Sequence, residues 1–376
     1  MNLKKMPSVS TIARIQKFLQ ESQATMGRLQ ARLYPCSWAP ALAIVGLLGL
    51  AEFGMVGPAG GPPAALAQSN DRVVTSIPFG ETNGAEVYNA SGAVPLADSR
   101  FLFCDNKSGD ALFELDLSPE GRMKNRLIRR PLQGVAPGAV KDLESMTIAE
   151  EGGRRFIFAS SSLSVKISKY GEPHPVVSTG LLRVTVNPND SLSAENIPDF
   201  REWLIRNVPE IGASAKLVPD ESGLNIEGLA WDESRHALLF GLRTPLSSGK
   251  PMVIPVKIKN LSGPWTTANL EALPPIQLLL EGADGSLGIR SMEYIPIQHS
   301  FLVVLGKTIS KMKAPFAVYE WNGYPLGKLR RLDLAFAEKM KPEGLTSGTV
   351  AGKPMLLFLD DAGGYQVLWL DKTRLF

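Results

Sequence analysis

Residues 225–246 read Asn-Ile-Glu-Gly-Leu-Ala-Trp-Asp-Glu-Ser-Arg-His-Ala-Leu-Leu-Phe-Gly-Leu-Arg-Thr-Pro-Leu, two apolar runs around the polar stretch Asp232 to His236. Runs this short, bounded by turn residues, predict an antiparallel pair of strands. The opening hexapeptide returns elsewhere. Asp142-Leu143-Glu144-Ser145-Met146-Thr147, Ser291-Met292-Glu293-Tyr294-Ile295-Pro296 and Lys341-Pro342-Glu343-Gly344-Leu345-Thr346 share its order of an apolar residue or Pro, Glu, a variable residue and an apolar residue. Asn89-Ala90-Ser91-Gly92-Ala93-Val94 fits as a fifth copy with Ser91 in the Glu position. Each copy is followed by a second strand signal, and most by a third, as in Leu181 to Val186 and Met252 to Ile258. Supersecondary units repeated at about 50 residues are the mark of propeller blades.

The expected fold is therefore an all-β propeller of five blades, or six if the long interval between Glu144 and Glu227 hides another. The last copy reaches only three strands before Phe376, while a spare strand, Arg72 to Phe79, precedes the first. That N-terminal strand is expected to complete the last blade and leave no open edge. The interval also carries Phe200, Trp203, Leu204 and Val208 at helical spacing, which predicts a short helical insertion near 197–213.

Composition agrees with many strands and turns. Among 376 residues, 35 are Gly and 28 Pro, about one in six. Hydrophobic residues make up 44%, enough for a large core. Forty Lys and Arg against 37 Asp and Glu is too even for a protein that holds nucleic acid on a basic surface. Two Cys and three His exclude a disulfide scaffold and argue against a zinc site. Cys104 reads as a small apolar core residue.

Residues 1–67 read as a leader. Lys4, Lys5, Arg14, Lys17, Arg28 and Arg32 precede an apolar run from Ala39 to Ala51, and Ala65-Leu66-Ala67 supplies a small-x-small cleavage pattern. The run is short for a bilayer span. The expectation is export to the periplasm or the outside by a signal peptide, or retention as a signal anchor, with contact to the membrane through this segment alone. Residues 68–376 would form the single propeller domain.

The segments around Glu227, Glu144, Glu293 and Glu343 resemble a bacterial family of unknown activity, domain of unknown function 3616, over roughly residues 84–371. More distantly they resemble phytase-like and esterase-like propellers. The first resemblance implies a propeller without an assigned reaction. The second implies chemistry centred on Ca²⁺.

Side chains alternate along a strand, so a Glu between apolar neighbours faces away from them. On the innermost strands, Glu144, Glu227, Glu293 and Glu343 would converge on the central channel. The ends of the second strands would add Asp105, Asp360, Asp361, Arg243 and Lys307 to the same mouth. Three readings of the Glu ring follow. The carboxylates accept backbone N–H groups and lock neighbouring blades. Alternatively Asp105, Asp360, Asp361, Glu227 and Glu343 hold Ca²⁺, which takes six to eight oxygens. In the third, the carboxylates act directly as acid and base. Arg243 and Lys307 would neutralise the ring or hold a phosphate or carboxylate beside a cation. No G-x-S-x-G or P-loop is present in the sequence. The function expected is a non-catalytic module of the cell envelope that binds a small molecule or an envelope partner. The alternative is a Ca²⁺-dependent phytase-like phosphoesterase or esterase at the channel mouth.

Overall fold

In the computed structural model, the described residues are 72–80, 89–167, 173–175, 179–280 and 287–370. The leader expected over residues 1–67 lies outside them. The fold is an all-β propeller. Apart from the two-stranded pair Val165–Ile167 and Pro173–Pro175, the described strands fall into five groups of antiparallel strands, the first two joined into one sheet by a parallel pairing of Ile128–Gln133 with Leu192–Ile197. The first runs from Ala90–Ala97 through Arg100–Asp105 and Ala111–Asp116 to Ile128–Gln133. The second comprises Leu143–Glu151, Arg154–Ser161, Leu181–Val186 and Leu192–Ile197. The third comprises Asn225–Asp232, Ala237–Thr244 and Met252–Ile258, with Leu270–Ala272 and Ile276–Gln277 both paired to the last of these. The fourth is Leu287–Ile295, Ser300–Lys307, Ala317–Trp321 and Lys328–Phe336. The fifth is Pro342–Val350, Lys353–Asp360 and Gly364–Trp369. The first strand of each group packs on that of the next, and Pro342–Val350 against Ala90–Ala97 closes the ring.

The core sits between the groups. A hydrophobic face on one sheet must be covered by its neighbour, and the buried residues accordingly fall into clusters at successive sheet interfaces. Leu102 and Met146 belong to the cluster between the first and second groups, and Leu239 and Met292 to that between the third and fourth. Between the second and third, Phe158 stacks on Trp231 at 6.4 Å, so Trp231 is a packing residue. Cys104 is fully buried in the first interface.

Helix α1, Phe200–Asn207, is shorter than the sequence suggested. Pro209 removes an N–H and clashes with a continuing helix, and the segment proceeds through the 3-10 turns Pro209–Ile211, Ser214–Lys216 and Pro219–Glu221. The apolar face is as expected. Phe200, Trp203, Leu204 and Val208 are buried against the third group, with Phe200 5.2 Å from the Phe240 ring.

The N-terminal strand differs from its reading in one respect. Ile77–Pro78 pairs antiparallel with Gly364–Trp369 and gives the fifth group its fourth strand. Arg72–Val74 instead pairs parallel with Lys328–Phe336, the outer strand of the fourth group. The segment is thus shared by two neighbouring sheets. Pro78 is tolerated because an edge strand need not donate every N–H.

Two glycines set how closely the third and fourth groups approach. Gly228 and Gly241 face each other across the third hairpin. A Cβ on Gly241 would lie 2.6 Å from Ile289 Cγ2 and 2.7 Å from Met292 Sδ. The missing side chains are the space into which Ile289 and Met292 insert. We predict that Gly241→Ala destabilises the fold by about 1–3 kcal/mol through overpacking, read as a lower midpoint in chemical denaturation. A midpoint equal to the parent's would show that this interface is loosely packed.

Candidate functional site

The inner strands do not run straight through the channel. Four of them skip one residue in the pairing with their neighbours. The skipped residues are Glu144, Glu227, Arg290 and Glu343. In the first strand the skip falls at Gly92, beside Ser91. A bulge re-aims the side chain it carries, so the same irregularity turns one side chain towards the channel on four of the strands, while Gly92 on the first has none.

This register corrects two elements of the sequence reading. In the first strand Gly92, not Ser91, takes the glutamate position. Glu293 is not the counterpart of the other three glutamates; Arg290, three residues earlier, takes that place. The signal was present, because Ile289-Arg290-Ser291-Met292 matches Leu143-Glu144-Ser145-Met146 at the serine and methionine. The Glu of Met292-Glu293 drew the alignment away from it.

Arg290 is buried and joins two carboxylates. Its Nε lies 2.7 Å from Glu227 Oε2, and its terminal Nη2 pairs with Glu343 Oε1. Arg243 adds a second cation, with Nη1 3.0 Å from Glu227 Oε1 and Nε donating to the Thr308 carbonyl at 2.7 Å. Asn225 Nδ2 also donates to Glu227 Oε1, at 3.1 Å. Burial disfavours the charge on Arg290, but Glu227, Glu343 and Glu144 outweigh it and hold its pKa above the ordinary value. Burial raises Glu343 to about 7, with Arg290 pulling it down and Glu227 pushing it up.

Glu144 has a different environment. It is half-buried and accepts from Ser91 Oγ at 3.1 Å and Asn106 Nδ2 at 3.4 Å, both neutral donors. Burial raises its pKa well above the carboxylate range, and the charges of Asp142, Glu227 and Glu343 raise it further. Nearby Asp142 is engaged by Ser162 Oγ and by Lys166 Nζ at 3.1 Å.

Glu293 reaches across to the fifth group. Its Oε1 accepts from Ser347 N at 2.8 Å, Ser347 Oγ at 2.8 Å and Thr346 Oγ1 at 3.2 Å. The carboxylate links two inner strands, and its burial raises the pKa to about 7 against these hydrogen bonds.

The remaining residues singled out in the sequence do not gather as expected. Lys307 Nζ donates to the Ser310 carbonyl at 3.0 Å, and among the described residues no carboxylate pairs with it. Asp105 accepts from Lys107 N at 2.8 Å and Asn89 N at 3.2 Å. Asp360 accepts from Lys341 N and Ala362 N, each at 3.1 Å. Asp361 takes Lys341 Nζ at 3.1 Å and the Asn89 side-chain amide. Asn89 therefore ties Asp105 to Asp361 across the ring closure, but with proton donors between them. Among the described residues no group of three or more His, Cys, Asp or Glu could hold a metal ion. The five residues read as calcium ligands, Asp105, Asp360, Asp361, Glu227 and Glu343, thus form no such cage.

No family model and no curated protein matches the chain, so neither comparison supports the resemblance to the family of unknown activity or to the phytase-like propellers. Solved structures do align with it. An α-L-arabinofuranosidase from Lactobacillus brevis shares 10% identity over 78% of this chain and 94% of its own, with a TM-score of 0.44. A GH43 β-xylosidase/α-arabinofuranosidase from a compost microbial metagenome shares 10% over 80% and 95%, with a TM-score of 0.41. A putative 6-phosphogluconolactonase from Bacteroides fragilis shares 14% over 77% and 69%, with a TM-score of 0.32. Likenesses this distant say nothing about activity.

Two predictions follow from the geometry. Arg290→Met leaves Glu227 and Glu343 buried with one fewer cation and should cost about 3–5 kcal/mol. Adding Glu227→Gln and Glu343→Gln should recover most of that loss; a single variant within experimental error of the parent would remove Arg290 from its central place. The second concerns pH. A carboxyl whose folded pKa lies above its unfolded value binds its proton more tightly in the native state, so stability falls as pH rises from about 4.5 towards 7. Glu293→Gln should flatten that fall by up to about 1.4 kcal/mol per pH unit, measured by denaturation at successive pH values. An unchanged slope would show that Glu293 does not titrate in this range.

Proposed function

We propose that the chain is a non-catalytic binding module of the cell envelope, exported by its leader, that takes a small polar ligand at the channel mouth beside Glu144. The observation that carries this reading is the contrast within the ring. Glu227 and Glu343 are paired with Arg290, and Glu293 is held by the neighbouring strand. Glu144 is left facing the channel with neutral partners, Ser91 and Asn106. Burial and like charges raise its pKa and so favour the protonated form, and a protonated carboxyl offers both an O–H donor and an acceptor. With the half-buried Asn106 amide beside it, it suits a hydroxyl-rich neutral ligand better than a bare ion. A Ca²⁺-dependent phosphoesterase would instead need several free carboxylates around one point.

The test uses the full chain. Thermal unfolding is followed across a panel of sugars and polyols, and separately from chelator to millimolar Ca²⁺. The midpoint should climb with a hydroxyl-rich ligand, since preferential binding to the folded state stabilises it, and stay flat with Ca²⁺. Glu144→Gln should keep ligand binding, whereas Glu144→Ala should weaken it about tenfold through the lost hydrogen bonds. Ca²⁺-dependent turnover of phosphate or carboxylate esters that disappears in Glu227→Gln would overturn the reading.

A further inference from the structure

The outer hairpin of the fourth group joins Ala317–Trp321 to Lys328–Phe336 through a loop that runs from Asn322 to Gly327. Two requirements meet at its start. Gly323 has φ +81°, a left-handed conformation that strains a residue with a Cβ. A Cβ there would also lie 3.0 Å from Phe301 Cε2, so the loop rests on that ring. Before it, Asn322 Oδ1 accepts from Tyr324 N at 3.1 Å, which folds the side chain back over its own backbone. The turn thus requires glycine at one position and favours asparagine just ahead of it.

The same pair is open to an internal reaction. A side chain on the residue after asparagine shields that residue's nitrogen, and glycine has none. The sequence holds two Asn-Gly pairs. Asn83-Gly84 lies outside the described residues, whereas Asn322 is described and exposed. The Tyr324 N–H stabilises negative charge on Asn322 Oδ1, so it favours attack on Cγ. Among the described residues no acceptor takes the Gly323 N–H, so no hydrogen bond must break before that nitrogen reacts.

We propose that Asn322 is a site of spontaneous deamidation through a cyclic imide closed on Gly323. Gly323 N bonds to Asn322 Cγ and gives up its proton. The Cγ–Nδ2 bond breaks, and Nδ2 leaves with that proton as ammonia. Water then opens the ring. Addition at Cγ restores the main chain with aspartate at this position. Addition at the backbone carbonyl leaves isoaspartate, whose main chain runs through Cβ and Cγ. Nothing is oxidised or reduced, and water is the sole co-reactant. The isoaspartate form carries an extra main-chain carbon into a loop that ties two groups together. The Gly323 carbonyl accepts from Arg235 Nη2 of the third group at 2.9 Å, and the Tyr324 carbonyl accepts from Trp321 Nε1 at 3.0 Å. Conversion displaces both carbonyls and loosens the third group from the fourth. The inference is independent of the reading of the channel.

The experiment holds the full chain folded in mildly alkaline buffer made with heavy-oxygen water, followed by tryptic digestion and mass spectrometry. The peptide 314–328 carries Asn322 as its one asparagine. It should give two heavier forms that separate by chromatography, aspartate and isoaspartate, each with one heavy oxygen. Asn260 makes the same local hydrogen bond, from Ser262 N at 2.9 Å, but precedes Leu261; it should stay intact over the same interval. The unfolding midpoint should fall as conversion proceeds, since buried ties are lost. Asn322→Gln should block the conversion and hold its own midpoint constant with time. Glu144→Gln should convert like the parent. The proposal fails if peptide 314–328 keeps its mass in the folded chain, or converts only after unfolding in denaturant. Aspartate without isoaspartate would replace the imide by direct hydrolysis. A midpoint that still falls with time in Asn322→Gln would place the change elsewhere in the chain.

Discussion

Arg290 lies between Glu227 and Glu343, and the interior of the ring depends on that contact. Five inner strands that lean on one another bring their bulge residues to a common axis. Three glutamates there would repel, and burial would make the repulsion worse. Putting a guanidinium on the fourth strand turns two of those carboxylates into partners, and Arg243 backs one of them from the adjacent strand. Charge neutralisation and ring closure are therefore one feature: the pairs cross from the third group to the fourth and from the fourth to the fifth. The same contacts leave Glu144 with the neutral donors Ser91 and Asn106 in place of a guanidinium.

Much of the architecture was legible in the sequence because it rests on local rules. The repeated strand pairs, the helix face of Phe200, Trp203, Leu204 and Val208, and the packing role of Trp231 all follow from periodicity and turn residues. The site was legible only in outline. Glu144, Glu227 and Glu343 were found because one residue type recurred in one context. Arg290 was missed because a substitution that reverses charge breaks a pattern defined by charge, although the serine and methionine beside it kept the register. Lys307 and the aspartates were placed correctly near the ends of their strands. Where their side chains point depends on loop carbonyls and main-chain amides that no spacing rule encodes.

The sharing of residues 72–78 between two sheets also bears on how the chain assembles. The partners of this segment are residues 334–336 and 364–365, almost the whole domain away in sequence. On a ribosome the segment emerges before either partner exists, so it waits for the sheets it completes until residues 334–365 have been made. Contacts so distant are slow to form, since most of the chain must be ordered before they return any stability. Until then the nascent propeller carries an uncovered strand edge, the kind of surface that pairs with other chains. Whatever escorts this protein before completion would be protecting that edge.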